Sequence, residues 1–333
     1  MRKRILEGLK EELFIVLKEA EKVRQVFCGE EVYIRGIIEF SNWCARDCLY
    51  CGLRRSNKNI RRYRMKEEKI IEVALKIIQL GIKTIVLQSG DDFYYSPNSI
   101  CKIIQKIKKK ANVAITLSIG ERSFDDYKAF RDAGADRYLL KHETANPFLY
   151  AYLHPGQSLK KRLKILEYLK KLGYQVGAGN IVGLPFQRQK DLVQDILLLE
   201  KLGVDMAGIS PFIPQKDTPL KDFPPPKLDL ALKVLALARI ITKNAHLPAT
   251  TAFATLDSYR GQLLALKAGA NVIMPDFTPS EFSKDYKIYD GKLKVNFSYA
   301  EEIISKAKRK ISLARGDSLK KEEKCIIKEH LGV

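Results

Sequence analysis

Three cysteines fall within eight residues of this 333-residue chain, in the segment SNWCARDCLYCGLRRSN. Cys44, Cys48 and Cys51 are spaced C-x3-C-x2-C. Thiolates are the ligands of iron–sulfur clusters, and four of them normally complete a cubane. Three from one loop leave one iron open to bind something else, and in a metabolic barrel that can be a cofactor. Zinc is the alternative. Tetrahedral zinc pairs a C-x2-C with a second Cys or His pair elsewhere, and His142 and His154 are candidates, although neither has that spacing. The remaining cysteines, Cys28, Cys101 and Cys325, are scattered. Such usage is no disulfide framework and points to a reducing compartment with metal bound at the cluster.

A site of this kind must be held by a scaffold. The chain is 46% hydrophobic, enough for a sizeable core. Its net charge is +20, from 59 basic and 39 acidic residues. The lysine runs (Lys106 with Lys108 to Lys110, Lys160 with Lys161, Lys320 with Lys321) lie on expected helix faces and near the C-terminus. They are not interleaved with aromatics as a single-strand binding groove would be, so neither a nucleic-acid nor a membrane partner is expected. The N-terminus has apolar residues at helical spacing and no continuous apolar run, which reads as an amphipathic helix rather than a signal peptide. No apolar stretch approaches the ~20 residues of a membrane span. The cytoplasm is the expected location.

β-rich and helical segments alternate along the rest. Strands are expected near 32–40, 83–88, 113–117, 137–141, 175–181, 206–209, 248–251 and 271–274, with helices between them. Glycines at 81, 134, 173, 203 and 269 fit helix ends that feed the next strand. Eight such units in series predict an α/β fold, a complete (β/α)8 barrel of the TIM type. A doubly wound open sheet is the alternative. The expected organisation is an N-terminal helical extension over 1–31, the barrel over 32–314 and a short helical tail over 315–333. Chemistry in such barrels sits at the C-terminal strand ends, and polar segments fall there, among them 41–51, 89–92, 142–146 and 250–255.

The cysteine spacing, with the aromatic Tyr50 just before the third cysteine, resembles the signature of the radical S-adenosylmethionine (SAM) superfamily. Longer segments are similar to the HydE family of [FeFe]-hydrogenase maturases, within the group that includes biotin synthase and methylornithine synthase. They include KTIVLQSGDDFYY, ITLSIGE, GADRYLLKHETANP, GYQVGAGNIVGLP, LPATTA and GANVIMPDFTPS, and they span about residues 36 to 290. The resemblance implies a [4Fe–4S] cluster on the three cysteines. SAM would chelate the open iron and be cleaved reductively to a 5′-deoxyadenosyl radical. The substrate would be a small anionic organometallic or amino-acid-derived molecule, with anaerobic handling required.

The resemblance also implies residue roles. Tyr50, Ser89, Gly90, Asp91, Glu143 and Arg162 match SAM-binding positions. Arg162 would otherwise read as a surface arginine in KKRLK. Gln88, Thr116, Thr250, Thr251 and Met274 match residues lining the barrel near its centre, though Met274 also suits core filling. Tyr286 and Tyr289 match tyrosines that close the top of the cavity. Arg137 and Lys141 would place positive charge inside it. Lys141 stands where the family usually carries an arginine, keeping the charge but losing the fork. The implied partners are the maturases HydG and HydF and an electron donor. With only Cys325 near the C-terminus, no accessory cluster is expected. A HydE-like paralogue with another small substrate and a non-catalytic iron–sulfur or zinc protein are the competing readings.

Overall fold

The computed structural model describes residues 1–312 and 314–320. The N-terminal segment forms two helices, Arg2–Lys10 and Leu13–Cys28, parted at the extended Glu12. Val16 and Ala20 are buried where the second helix packs on the apolar helix Leu228–Thr242. The strands in chain order are β1 (Glu31–Ile34), β2 (Gly36–Ser41), β3 (Thr84–Ser89), β4 (Ala114–Ser118), β5 (Arg137–Leu139), β6 (Gln175–Ala178), β7 (Ile181–Val182), β8 (Met206–Ala207), β9 (Ser210–Pro211), β10 (Val272–Ile273) and β11 (Lys310–Ser312). Helices cover the sheet on the outside, each for local reasons. In Pro97–Lys108, Ser96 accepts from the Ser99 N–H and Pro97 takes the first turn. Ile100, Ile103, Ile104 and Ile107 then bury one face at i, i+3, i+4, i+7 spacing. In Phe124–Asp132 a Ser123/Asp126 capping box does the same work at the start. No helix among the described residues is long and apolar enough to cross a membrane.

The expected complete eight-stranded barrel does not form. The core is a partial α/β barrel, a six-stranded parallel sheet in the order β2-β3-β4-β5-β6-β8. A separate three-stranded sheet, β10-β1-β11, lies alongside, with a two-stranded pair β7-β9. The seventh expected strand fails for a chemical reason. Pro248 has no N–H to give a ladder, and three residues later the chain enters the helix Thr251–Leu256. Isolated bridges, Met206↔His246 and Pro248↔Val272, with backbone hydrogen bonds such as His246 N–H to the Asp205 carbonyl at 2.9 Å and Ala249 N–H to the Val272 carbonyl at 2.8 Å, span the gap without a regular strand. Two other expected strands are interrupted. The 32–40 run breaks at Arg35 between β1 and β2. The 175–181 run breaks at Gly179, where a Cβ would lie 2.1 Å from the Gly208 carbonyl oxygen. After β10 the helix Phe297–Lys306 packs on the outside, and 310–312 forms β11 against β1. Of the expected helical tail, residues 321–333, including Cys325, lie outside the described residues.

Strand alternation sorts the barrel interior into layers. The register pairs Gln88 with Ser118 in an upper layer, and Val86 with Thr116 one layer down. Thr116 pairs with Arg137 on β5. Arg137 is therefore at the lower end, away from the strand ends that carry the cysteines. Residues 315–318 seal that end. The Arg137 guanidinium donates to Gln175 Oε1 at 2.9 Å, Thr84 Oγ1 at 3.0 Å, the Gly316 carbonyl at 2.8 Å and Asp317 Oδ1 at 2.9 Å. Arg35 reaches the same Gly316 carbonyl at 3.2 Å, and a ring nitrogen of His246 lies 2.9 Å from the Asp317 carbonyl oxygen. Arg137 is thus a buried structural arginine, not a cavity cation. Arg137→Met should lower the unfolding free energy by about 2–4 kcal/mol, from lost charged hydrogen bonds and stranded acceptors. The urea midpoint measures it, and an unchanged midpoint would refute this role.

Candidate active site

The cysteine loop leaves the upper end of β2 and is pinned from both sides. Arg62 donates to the Asn42 carbonyl at 2.5 Å on one flank, and to the Leu53 and Arg54 carbonyls at 2.9 Å and 2.7 Å on the other. The turn after β3 packs beneath it. A Cβ on Gly90 would lie 2.2 Å from the Trp43 carbonyl oxygen and 2.7 Å from Cys44 Cβ, so only glycine fits. Ser89 is turned onto the Gly90 carbonyl at 2.7 Å.

Cys44, Cys48 and Cys51 all line one cavity of about 360 Å³. Their sulfurs already receive donors. Cys44 Sγ accepts from the backbone N–H of Arg46 and of Asp91, both at 3.4 Å. Gln157 Nε2 donates to Cys48 Sγ at 3.5 Å. Burial pushes the Cys44 thiol up to about 11, with Asp91 adding to it. Burial, then the charge of Cys44, takes Cys51 to about 12, and Cys48 is raised further by burial and by both other thiols. Such a group ionises only around a cation. Among the described residues no three His, Cys, Asp or Glu side chains converge as a single-metal site requires. A cubane asks for three thiolates that each take a different iron, with hydrogen bonds onto sulfur. Soft donors, backbone N–H groups aimed at sulfur and an adjoining cavity fit that cluster. Neither histidine weighed as a zinc ligand converges with the cysteines on one metal position. His154 has its ring nitrogens 3.0 Å from Tyr50 Oη and 3.0 Å from the Tyr150 carbonyl oxygen. His142 is fully buried, held neutral by burial with its pKa down at about 3, and absent from the cavity wall.

The other expected residues divide cleanly. Tyr50, Ser89, Gly90, Asp91, Glu143 and Arg162 line the cavity. So do Gln88, Lys141, Thr250, Thr251, Met274, Tyr286 and Tyr289. Thr116 does not: it is fully buried one layer below, with an unpartnered Oγ1. Arg137 does not either. Within HETANP most side chains build the loop. Asn146 caps the helix Pro147–Leu153, while Glu143, at φ 62°, is bent into the cavity. A left-handed non-glycine residue costs of order 1–3 kcal/mol and marks functional sites. Lys141 Nζ lies 3.0 Å from Glu143 Oε2.

Arg162 is buried, with three of its five N–H donors engaged. It donates to Glu121 Oε1 at 2.8 Å, the Lys141 carbonyl at 2.7 Å and Gln157 Oε1 at 3.0 Å. Glu121 and Gln157 were missed in the sequence, as were Arg46, which donates to Asp91 Oδ2 at 2.6 Å, and Glu39, Asp276 and Lys292. Glu39 had a signal: in the strand IIEFS it shares a face with Ile37, pointing inward. Lys292 had none, because its segment follows the last core strand.

The radical SAM superfamily signature matches residues 38–199. The [FeFe] hydrogenase maturase subunit HydE of Thermotoga maritima is 51% identical over 286 residues, 86% of this chain and 81% of that protein. This chain belongs to the radical SAM superfamily. It is a radical SAM enzyme closely related to HydE, and membership implies a [4Fe–4S]- and SAM-dependent mechanism. The 3-methylornithine synthase of Methanosarcina barkeri is 29% identical over 289 residues, 85% of this chain and 80% of that one. A crystal structure of methylornithine synthase superposes with a TM-score of 0.84 at 25% identity, covering 94% of each chain. The chain therefore shares its fold with that enzyme over nearly its whole length.

The Gly90 packing yields a test. Gly90→Ala should leave the helical content of this enzyme intact but reduce iron incorporation on anaerobic reconstitution severalfold. Iron analysis and absorbance near the cluster band measure it, and full iron loading would show that the turn does not shape the cysteine loop.

Proposed function

We propose that this enzyme is a HydE-type maturase, acting on a small cysteine-ligated iron precursor that carries CO and cyanide, in assembly of the [FeFe]-hydrogenase active-site cluster. The 51% identity to the Thermotoga HydE across most of the chain carries this reading. Cys44, Cys48 and Cys51 hold the [4Fe–4S] cluster. When bound, the cluster supplies one electron that cleaves SAM to the 5′-deoxyadenosyl radical.

The chain's own residues bind and orient. The Ser89–Gly90–Asp91 turn and Tyr50 form the wall against SAM, with Glu143 as an acceptor for its ribose or amine. Arg162 serves the SAM carboxylate and, through Gln157, steadies the donor on Cys48 Sγ. Gln88, Thr250, Thr251 and Met274 face the substrate, and Lys141 supplies positive charge for an anionic ligand. Tyr286 and Tyr289 lie on the strap 285–293, which is tied to the cysteine loop by Gly52 N–H to the Ile288 carbonyl at 2.9 Å. The strap forms one wall of the cavity. HydG would supply the precursor, HydF would receive later intermediates, and a reduced carrier would deliver the electron.

A second reading is a HydE-like paralogue acting on another small amino-acid or thiazolidine substrate. The lysine at 141 and the close superposition on methylornithine synthase favour it. An anaerobic maturation assay separates the two. The reconstituted enzyme replaces a known HydE beside HydF, HydG, SAM and apo-hydrogenase, and hydrogen evolution is read. Activity lost in Cys44→Ala supports the maturase. Deoxyadenosine formed without hydrogen selects the paralogue.

A further inference from the structure

The cavity wall is lined with charge, and nearly all of it is internally paired. Arg46 sits 2.6 Å from Asp91, Lys141 3.0 Å from Glu143, and Arg162 2.8 Å from Glu121. Lys292 Nζ lies 2.5 Å from both Glu39 oxygens, and 4.9 Å from the centre of the Tyr286 ring. Asp276 is the exception. It lines the same cavity, yet among the described residues it has no ion-pair partner. Oδ1 accepts only the Thr278 N–H, at 2.8 Å.

The neighbouring lysines are committed elsewhere. Lys292 is gripped by Glu39, and Lys294 Nζ is turned to the Thr278 carbonyl at 3.1 Å and Ser283 Oγ at 3.2 Å. Lys294 keeps its charge, but its ammonium faces those neutral acceptors, so the Asp276 carboxylate has no cation in contact. Burial raises the Glu39 carboxyl to about 7; Lys292 and, more weakly, Lys294 oppose that, and Asp276 adds to it. A carboxylate without a cation of its own on the wall of a substrate cavity is matched best by a cation with N–H donors. A divalent ion would want several more oxygen ligands than one free carboxylate offers.

We infer that Asp276 is the subsite for the protonated amino group of an amino-acid-derived substrate. The self-satisfied Glu39–Lys292 pair beside it keeps Lys292 from filling the place. The inference rests on the cavity being the substrate site of a radical SAM enzyme, and it adds that the substrate carries an ammonium.

Two thioethers differing only in that group test it: S-methyl-L-cysteine and 3-(methylthio)propionate. Neither offers a thiol to iron. Each is titrated calorimetrically into reconstituted, SAM-saturated enzyme. The wild type should prefer the amino compound by about tenfold or more. Asp276→Asn, which keeps the Thr278 contact, should bring the two within about twofold, and Asp276→Glu should restore part of the preference. Equal binding by the wild type, binding of neither compound, or a preference kept in Asp276→Asn would overturn the assignment. If Asp276→Asn does not fold, the wild-type comparison decides alone. Deoxyadenosine formation from SAM and dithionite, measured without either compound, reports separately whether the radical SAM reading holds.

Discussion

The Glu121–Arg162 pair organises the upper half of this molecule. A buried guanidinium must have every donor met. Arg162 answers much of that demand by binding a carboxylate after β4, a backbone carbonyl at the end of β5 and the Gln157 side chain that in turn touches Cys48. Arg46, inside the cysteine loop, approaches the same Glu121 at 3.6 Å. Cluster loop, SAM wall and cavity are therefore tied to one another by shared partners. Such a buried pair adds little net stability, because desolvation offsets most of the attraction. What it provides is position: no one of these loops can move without stranding a charge.

The cysteine motif and the parallel α/β plan were legible because each is local. A C-x3-C-x2-C spacing and a run of strand–helix units can be read without knowing what packs on what. The closed barrel was over-read, since the alternation of segments does not reveal that Pro248 withholds a donor or that Gly179 must make room for Gly208. Arg137 shows the same limit. Its place on β5 was foreseen, but the end of the barrel it faces depends on register and on a seal supplied by residues 315–318.

The cavity wall was half legible. Residues next to strand ends within recognisable segments, such as Gln88, Glu143 and Thr250, could be carried over from the resemblance. Glu39 was hidden in an apolar-looking strand, although a strict alternation of faces would have exposed it. Lys292 and Asp276 acquire meaning only through long-range contact: 253 residues separate Lys292 from its partner Glu39. No local pattern encodes a pair at that separation.

The seal at the lower end has a consequence for how the chain reaches this state. Arg35 and Gly316 meet across 281 residues, and Arg137 and Asp317 across 180. During synthesis the N-terminal partners leave the ribosome long before residues 315–318 exist. Until those carbonyls arrive, the arginines of the lower layer lack their acceptors and stay hydrated, and the inner face of the sheet is wet from below. Contacts of such high sequence separation are slow to form. Closure of the lower end therefore waits on β11 and the turn after it.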